Sequence, residues 1–147
     1  MKAHIGVDAD SGLMHTVRTT AGHVHDINEG NSLLHGQEQM VFANAGHQGI
    51  EKRADAKLEA KWHVAMRPGK RKALDKGNAA DAMLDEAEKL KEGVRAKVEQ
   101  PFRVVKRQFG HVKVLYRGLK KNTQQLMTLF ALSNLWMVRS KLMGAGA

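Results

Sequence analysis

Glu99 is the carboxylate in this chain whose neighbours suggest chemistry. Arg95, Glu99, Arg103 and Lys106 fall at i−4, i, i+4 and i+7 of one helical pattern, a lone acid inside a basic row. Such a carboxylate can ligate a divalent cation while flanking Arg and Lys hold phosphates. The same spacing also describes an exposed i,i+4 ion pair worth about 0.3–0.5 kcal/mol, and the residues alone leave both readings open. Asn44 is the second position: it ends an apolar run and opens a glycine-bearing loop. In mixed α/β sheets ligand groups gather at the carboxyl ends of strands. Its amide oxygen can coordinate a cation but neutralises none of the charge. His23, His25 and Asp26 form an H-x-H-D run, yet no third ligand set lies near in sequence, and Asp26 is explained as a helix cap. His47 alone is uninformative. There is no Cys, which excludes disulfides, thiolate zinc sites and a Cys nucleophile. P-loop, G-x-G-x-x-G, G-x-S-x-G and H-E-x-x-H motifs are absent too.

The elements that must position these residues follow from periodicity. Ala3–Asp8 and Leu13–Thr20 alternate as strands around the turn Ala9-Asp10-Ser11-Gly12, which predicts an antiparallel hairpin. Asp26-Ile-Asn-Glu29 has the form of a capping box, opening a short helix that Gly36 closes. Gln39–Ala43 is a third strand, ending at the Asn44–Gly49 loop. A helix over Ile50–Ala60, a fourth strand over Trp62–Met66 and a basic loop over Arg67–Lys76 come next. Asn78 with Asp81 opens a long helix. Its apolar stripe runs through Met83, Ala87, Leu90, Val94, Val98, Phe102, Val105 and Phe109. Pro101 lies inside that stripe and predicts a kink or break near Lys97–Pro101. Asn122 with Gln125 opens a last helix, Thr123 to about Leu142. It is apolar on most sides, so it is buried or meets a partner. This order predicts an α/β fold with a mixed sheet and helices packed on it: hairpin and strand–helix units over 1–66, a basic helical half over 67–147.

Charge is unevenly spread. The 147 residues hold 24 Lys and Arg against 15 Asp and Glu, for a net charge of +9, and are 42% hydrophobic, enough for a core. Residues 1–60 hold 5 basic and 8 acidic residues, 61–147 hold 19 and 7, and from Gln100 onward there are 9 basic residues and no acid. A field of one sign concentrates polyanions, which makes a nucleic acid the expected partner rather than a small-molecule substrate. Candidates for phosphate contact are Arg95, Arg103, Lys106, Arg107, Lys113, Arg117, Lys120 and Lys121, each of which could equally be a solvated surface cation. No apolar run reaches the roughly 18 residues of a membrane span. Asp8 cuts short any secretory apolar segment, so the expectation is a soluble, cytoplasmic protein with no membrane partner.

Several strings agree with one family: MKAHIGVDADSGL, TTAGHVHDIN, LLHGQEQMVFANAGHQGIEKR, VRAKVEQPFRVVKRQFG, VKVLYRGLKKN and LFALSNL. From Met1 to about Arg139 the chain resembles the C-terminal part of the catalytic domain of bacterial insertion-sequence transposases of the DDE class, in the "insertion sequence five" group. The resemblance implies an RNase H-like domain in which three carboxylates bind two Mg²⁺ ions for attack on phosphodiesters. The family's third carboxylate lies in a Y-R-E-K signature, matched here by Arg95, Glu99 and Lys106, with Glu92 in place of the Tyr. That match makes Glu99 a metal ligand by descent. The second carboxylate is the Asp of a D-A-G-Y string; here the string is Asn44-Ala45-Gly46-His47, a degenerate catalytic position.

The first carboxylate belongs to a strand upstream of the MKAHIGVD hairpin, at which this chain begins. Asp8 and Asp10 belong to the hairpin turn and do not replace it. One Glu and a neutral Asn cannot hold two Mg²⁺ ions in so basic a field. The missing strand is the central one, between the hairpin and the Gln39–Ala43 strand, so open strand edges and a marginal, partner-dependent fold are expected. The expectation is a truncated, inactive DDE transposase with residual DNA binding. The alternatives are a regulatory fragment that binds or inhibits full-length transposase or associates with itself, and one part of an enzyme completed by an upstream reading frame.

Overall fold

The computed structural model describes residues 1–54 and 60–144. They divide into two compact units, Met1–Val24 with Lys97–Ala147, and His25–Ala96.

In the first unit, strands β1 (Lys2–Val7) and β2 (Met14–Thr20) form the expected antiparallel hairpin, in register Ile5 opposite Val17, with an irregularity between Gly6 and Val7. The turn is held by Asp8, whose Oδ1 accepts from Ser11 N (2.7 Å) and Ser11 Oγ (2.5 Å). Gly12 closes it at φ +71°, a conformation that costs a residue with a Cβ. The Ser11 hydrogen bonds hold the Asp8 carboxyl below the usual range, so this acid is committed to the turn.

The hairpin packs on the later part of α2 (Ala79–Arg107) and on α3 (Leu119–Gly144), whereas α1 (Pro68–Lys72) belongs to the second unit. Ile5, Val105, Leu126 and Phe130 form the buried centre, with Phe102 meeting Phe130 edge-on at 5.2 Å. Asn134 of α3 binds both backbone groups of Met14, accepting from its N–H (2.9 Å) and donating to its carbonyl (2.7 Å). This carboxamide mimics a third strand's peptide group on β2.

Two expectations for the helices need correction. The break expected near Pro101 does not occur, and α2 runs through it. Pro101 is fully buried and its carbonyl lies 3.5 Å from Ser133 Oγ. Packing there offsets the hydrogen bond that the ring removes. The last helix begins at Leu119, not Thr123, because Asn122 does not cap it: its carboxamide turns back to bond the preceding loop.

In the second unit, strands β3 (Met40–Ala43) and β4 (Lys61–Val64) pair in parallel, Val41 opposite Trp62. Ala43, Ile50 and Trp62 are the buried centre, with Ile27, Leu34, Val41 and Val64 around it. Gly30 is required by close approach: a Cβ there would stand 2.3 Å from Ile50 Cδ1. The helix expected to open at Asp26 is two short 3₁₀ turns, Asp26–Asn28 and Asn31–Leu33. Asp26 is not their cap; His25 holds that position, with no side-chain cap bond. The helix expected over 50–60 begins as one 3₁₀ turn, Ile50–Lys52, and residues 55–59 lie outside the described residues. The basic loop expected over Arg67–Lys76 contains α1, which starts on Pro68, whose fixed φ suits a first helical position. Asn78 does cap α2, accepting from Ala80 N at 2.9 Å.

The single mixed sheet is not formed. Among the described residues β1–β2 and β3–β4 are separate two-stranded sheets, since no strand joins them. The class is nonetheless mixed α/β. No helix is long and apolar enough to cross a membrane among the described residues.

Candidate functional site

Glu99 sits on the exposed face of α2, with Arg103 and Lys106 exposed on the same helix. The i,i+4 ion pair does not form: among the described residues Glu99 makes no hydrogen bond and no ion pair. Arg107, Lys113, Arg117, Lys120 and Lys121 are likewise exposed, and among the described residues none of them has an acidic partner. The cause is compositional, since no Asp or Glu follows Glu99. Two other cations of this unit have structural tasks. Lys97 Nζ donates to the Ala9 carbonyl in the hairpin turn, and Arg139 stacks over Trp136 at 4.3 Å.

Asn44 follows β3 and caps the turn Ala45–His47. Its Oδ1 accepts from Gly46 N at 2.9 Å and meets His47 Nδ1 at 2.9 Å. An amide oxygen has two lone pairs, and both are engaged; the remaining amide group only donates. A Cβ on Gly46 would stand 3.0 Å from Asn44 Oδ1 and 3.1 Å from Asp26 Oδ2, a tight approach that those side chains would have to relieve by a few tenths of an ångström.

A cleft of about 670 Å³ opens at the carboxyl ends of β3 and β4, lined by Ala45, Met66, Arg71, Asp85, Glu88 and Arg95 among others. Its acids are already matched. Arg71 donates to Asp85 (2.8 Å) and to Glu92 (2.5 Å), two turns apart on α2. Lys89 adds a second contact to Asp85 at 3.1 Å. Glu88 is buried, and accepts from Met66 N (2.8 Å) and Lys91 Nζ (2.7 Å). Burial alone would raise the Glu88 pKa, but Lys91 and the Met66 N–H outweigh it and hold the carboxyl low. Hydrogen bonds from Arg71 and Lys89 hold Asp85 low, and those acids in turn raise Arg71. Lys72, Lys76 and Arg95 also line the cleft and have no acidic partner among the described residues. Sequence reasoning missed this network. Its signal was available in Asp85, Glu88 and Glu92, spaced three and four apart opposite the RPGKRK run.

His23 and His25 are exposed in the connection after β2. A family model described as a transposase DDE domain matches residues 1–135.

The chain belongs to the transposase DDE domain family.

Membership supports a transposase-related function and implies DNA binding, in a family that uses divalent metal ions. No solved structure matches this chain. Asn44 offers a cation no free lone pair, because Gly46 and His47 already use its oxygen. Glu99 is a single exposed carboxylate among cations that repel one. Asn44 and Glu99 as they stand do not offer a divalent ion a set of paired acids.

Proposed function

We propose that this chain is a DNA-binding transposase domain of the insertion-sequence five group that does not cleave DNA by itself. In this reading it corresponds to the C-terminal part of an RNase H-like catalytic domain. Residues 1–66 are the hairpin and strand–helix units, and 67–147 the basic helical half. Glu99 stands at the third catalytic carboxylate and Asn44 at the degenerate second. One observation carries the loss of cleavage: the Asn44 oxygen is spent on capping its own turn. Mg²⁺, the family's expected ion, then lacks its paired acids. DNA binding is supported by Arg103, Lys106, Arg107, Lys113, Arg117, Lys120 and Lys121, exposed cations without acidic partners among the described residues, with Arg95 as a further phosphate contact.

The test is binding of a DNA duplex over a salt series, with strand scission followed in parallel in Mg²⁺. The expected result is log K falling against log salt with a slope of about −4 or steeper and no scission. A salt-independent affinity overturns the DNA-binding reading, and scission that needs Glu99 overturns the inactivity.

A second reading has its own support. Helix α3 leaves Met127, Leu132, Leu135, Leu142 and Met143 exposed, a surface that suits docking on full-length transposase or on a second copy. Loss of transposition on mixing the two proteins would favour it.

A further inference from the structure

The connection from Gly110 to Leu119 breaks the rule that apolar side chains leave water. Val112 is 78% exposed, Val114 49%, Leu115 64% and Tyr116 50%. Disorder does not explain this exposure, because the connection is tied at both ends. His111 N donates to the Val105 carbonyl at 3.1 Å. At the other end the buried Asn122 grips both backbone groups of Tyr116, accepting from its N–H (3.2 Å) and donating to its carbonyl (2.6 Å). It also donates to the Gly118 carbonyl at 2.7 Å. Gly118, at φ +87°, makes the tight return that this grip needs. Tyr116 is therefore held in place through its backbone while half its surface stays in water. Lys113, Arg117, Lys120 and Lys121 flank it, all exposed and without acidic partners among the described residues.

We infer that this connection is a base-stacking element, in which Tyr116, with Leu115 beside it, engages unstacked or single-stranded bases while the four flanking cations hold the adjacent phosphates. The inference rests on the DNA-binding reading and names the form of DNA that this surface takes. An aromatic ring within a cationic surface is the chemistry of sequence-tolerant single-strand recognition. Apolar side chains beside it can also wedge between base steps. Charge excludes a second copy of this chain as the occupant, since a symmetric contact would set these four cations against their own counterparts.

The experiment is fluorescence anisotropy with the full chain, one oligonucleotide as a single strand and the same sequence as a duplex, across a salt series. For Tyr116→Ala we expect about a tenfold loss on the single strand, little change on the duplex and an unchanged salt slope. Tyr116→Phe keeps the ring and should retain the affinity. Asn122→Ala, which frees the Tyr116 backbone, should weaken single-strand binding in the same sense. Because Tyr116 is half exposed, matching thermal melts for wild type and Tyr116→Ala should exclude unfolding. Equal losses on both forms of DNA, or no loss on the single strand, overturn the inference and leave the DNA-binding reading intact. A change in oligomeric state with unchanged DNA affinity also overturns it. A wild-type chain that binds neither form overturns both readings together.

Discussion

The two units of this chain use charge in opposite ways. In His25–Ala96 the central ions are matched: Arg71 joins Asp85 and Glu92, Lys89 supports Asp85, and Lys91 with the Met66 N–H satisfies Glu88. In the segment from Lys97 onward there is one acid, Glu99, and nine exposed cations stand without acidic partners among the described residues. Matched ions position elements; unmatched ones hold a potential that a polyanion can answer. The contrast separates cations that build the fold from cations that await DNA, a distinction that composition alone does not draw.

The largest expected effect tests the unmatched set. Neutralising Arg103, Lys106, Arg107, Lys113, Arg117, Lys120 and Lys121 together should lower duplex affinity by about a thousandfold at physiological salt and flatten the salt slope, with little change in melting temperature. Equal loss from neutralising Lys89 and Lys91 would erase the contrast. The matched set is tested by stability. Glu88→Ala leaves a buried N–H and a cation unanswered and should cost about 1–3 kcal/mol in chemical denaturation. Gly30→Ala, which drives a Cβ into the fully buried Ile50, should cost about 1–3 kcal/mol by overpacking. Glu99→Ala should fall within about 0.5 kcal/mol of wild type, since Glu99 has no partner among the described residues to lose.

Acid sharpens the same comparison. Glu88 and Asp85 have folded-state pKa values below their ordinary 4.5 and 3.8. Their contribution is present above those values and is lost as pH falls through the lowered ones. Denaturation followed from pH 6 downward should therefore show wild type losing stability below about pH 4.5, and Glu88→Gln losing less over that window. An unchanged pH dependence in that variant would mean that Glu88 is not one of the matched ions.

Much of this was legible in the sequence, where local patterns decide local structure. Alternation placed β1 and β2, and Asn78 marked the start of α2, because turn and cap chemistry act within a few residues. The long-range terms were not legible. Nothing near Pro101 tells that its ring will be buried and the helix will continue, and nothing near Asn122 tells that its amide will hold Tyr116 rather than cap α3. The apolar stripe of α2 is real, but only its later part is enclosed: Val105 is buried, while Met83 and Leu90 are 72% and 75% exposed. Periodicity shows that residues share a face, and only a partner element decides whether that face is covered. At the candidate site, Glu99 and Asn44 were identified by type and spacing. That the Asn44 oxygen is spent on Gly46 and His47 follows from backbone geometry that spacing does not contain.

The most direct measurement is scission of supercoiled plasmid in Mg²⁺ by the purified chain, beside Asn44→Asp and Glu99→Gln. Asp caps a turn as well as Asn does, so the first variant should fold unchanged. The account predicts plasmid that is bound and stays supercoiled with all three proteins. Relaxed circles produced by the wild-type chain and abolished by Glu99→Gln would contradict it.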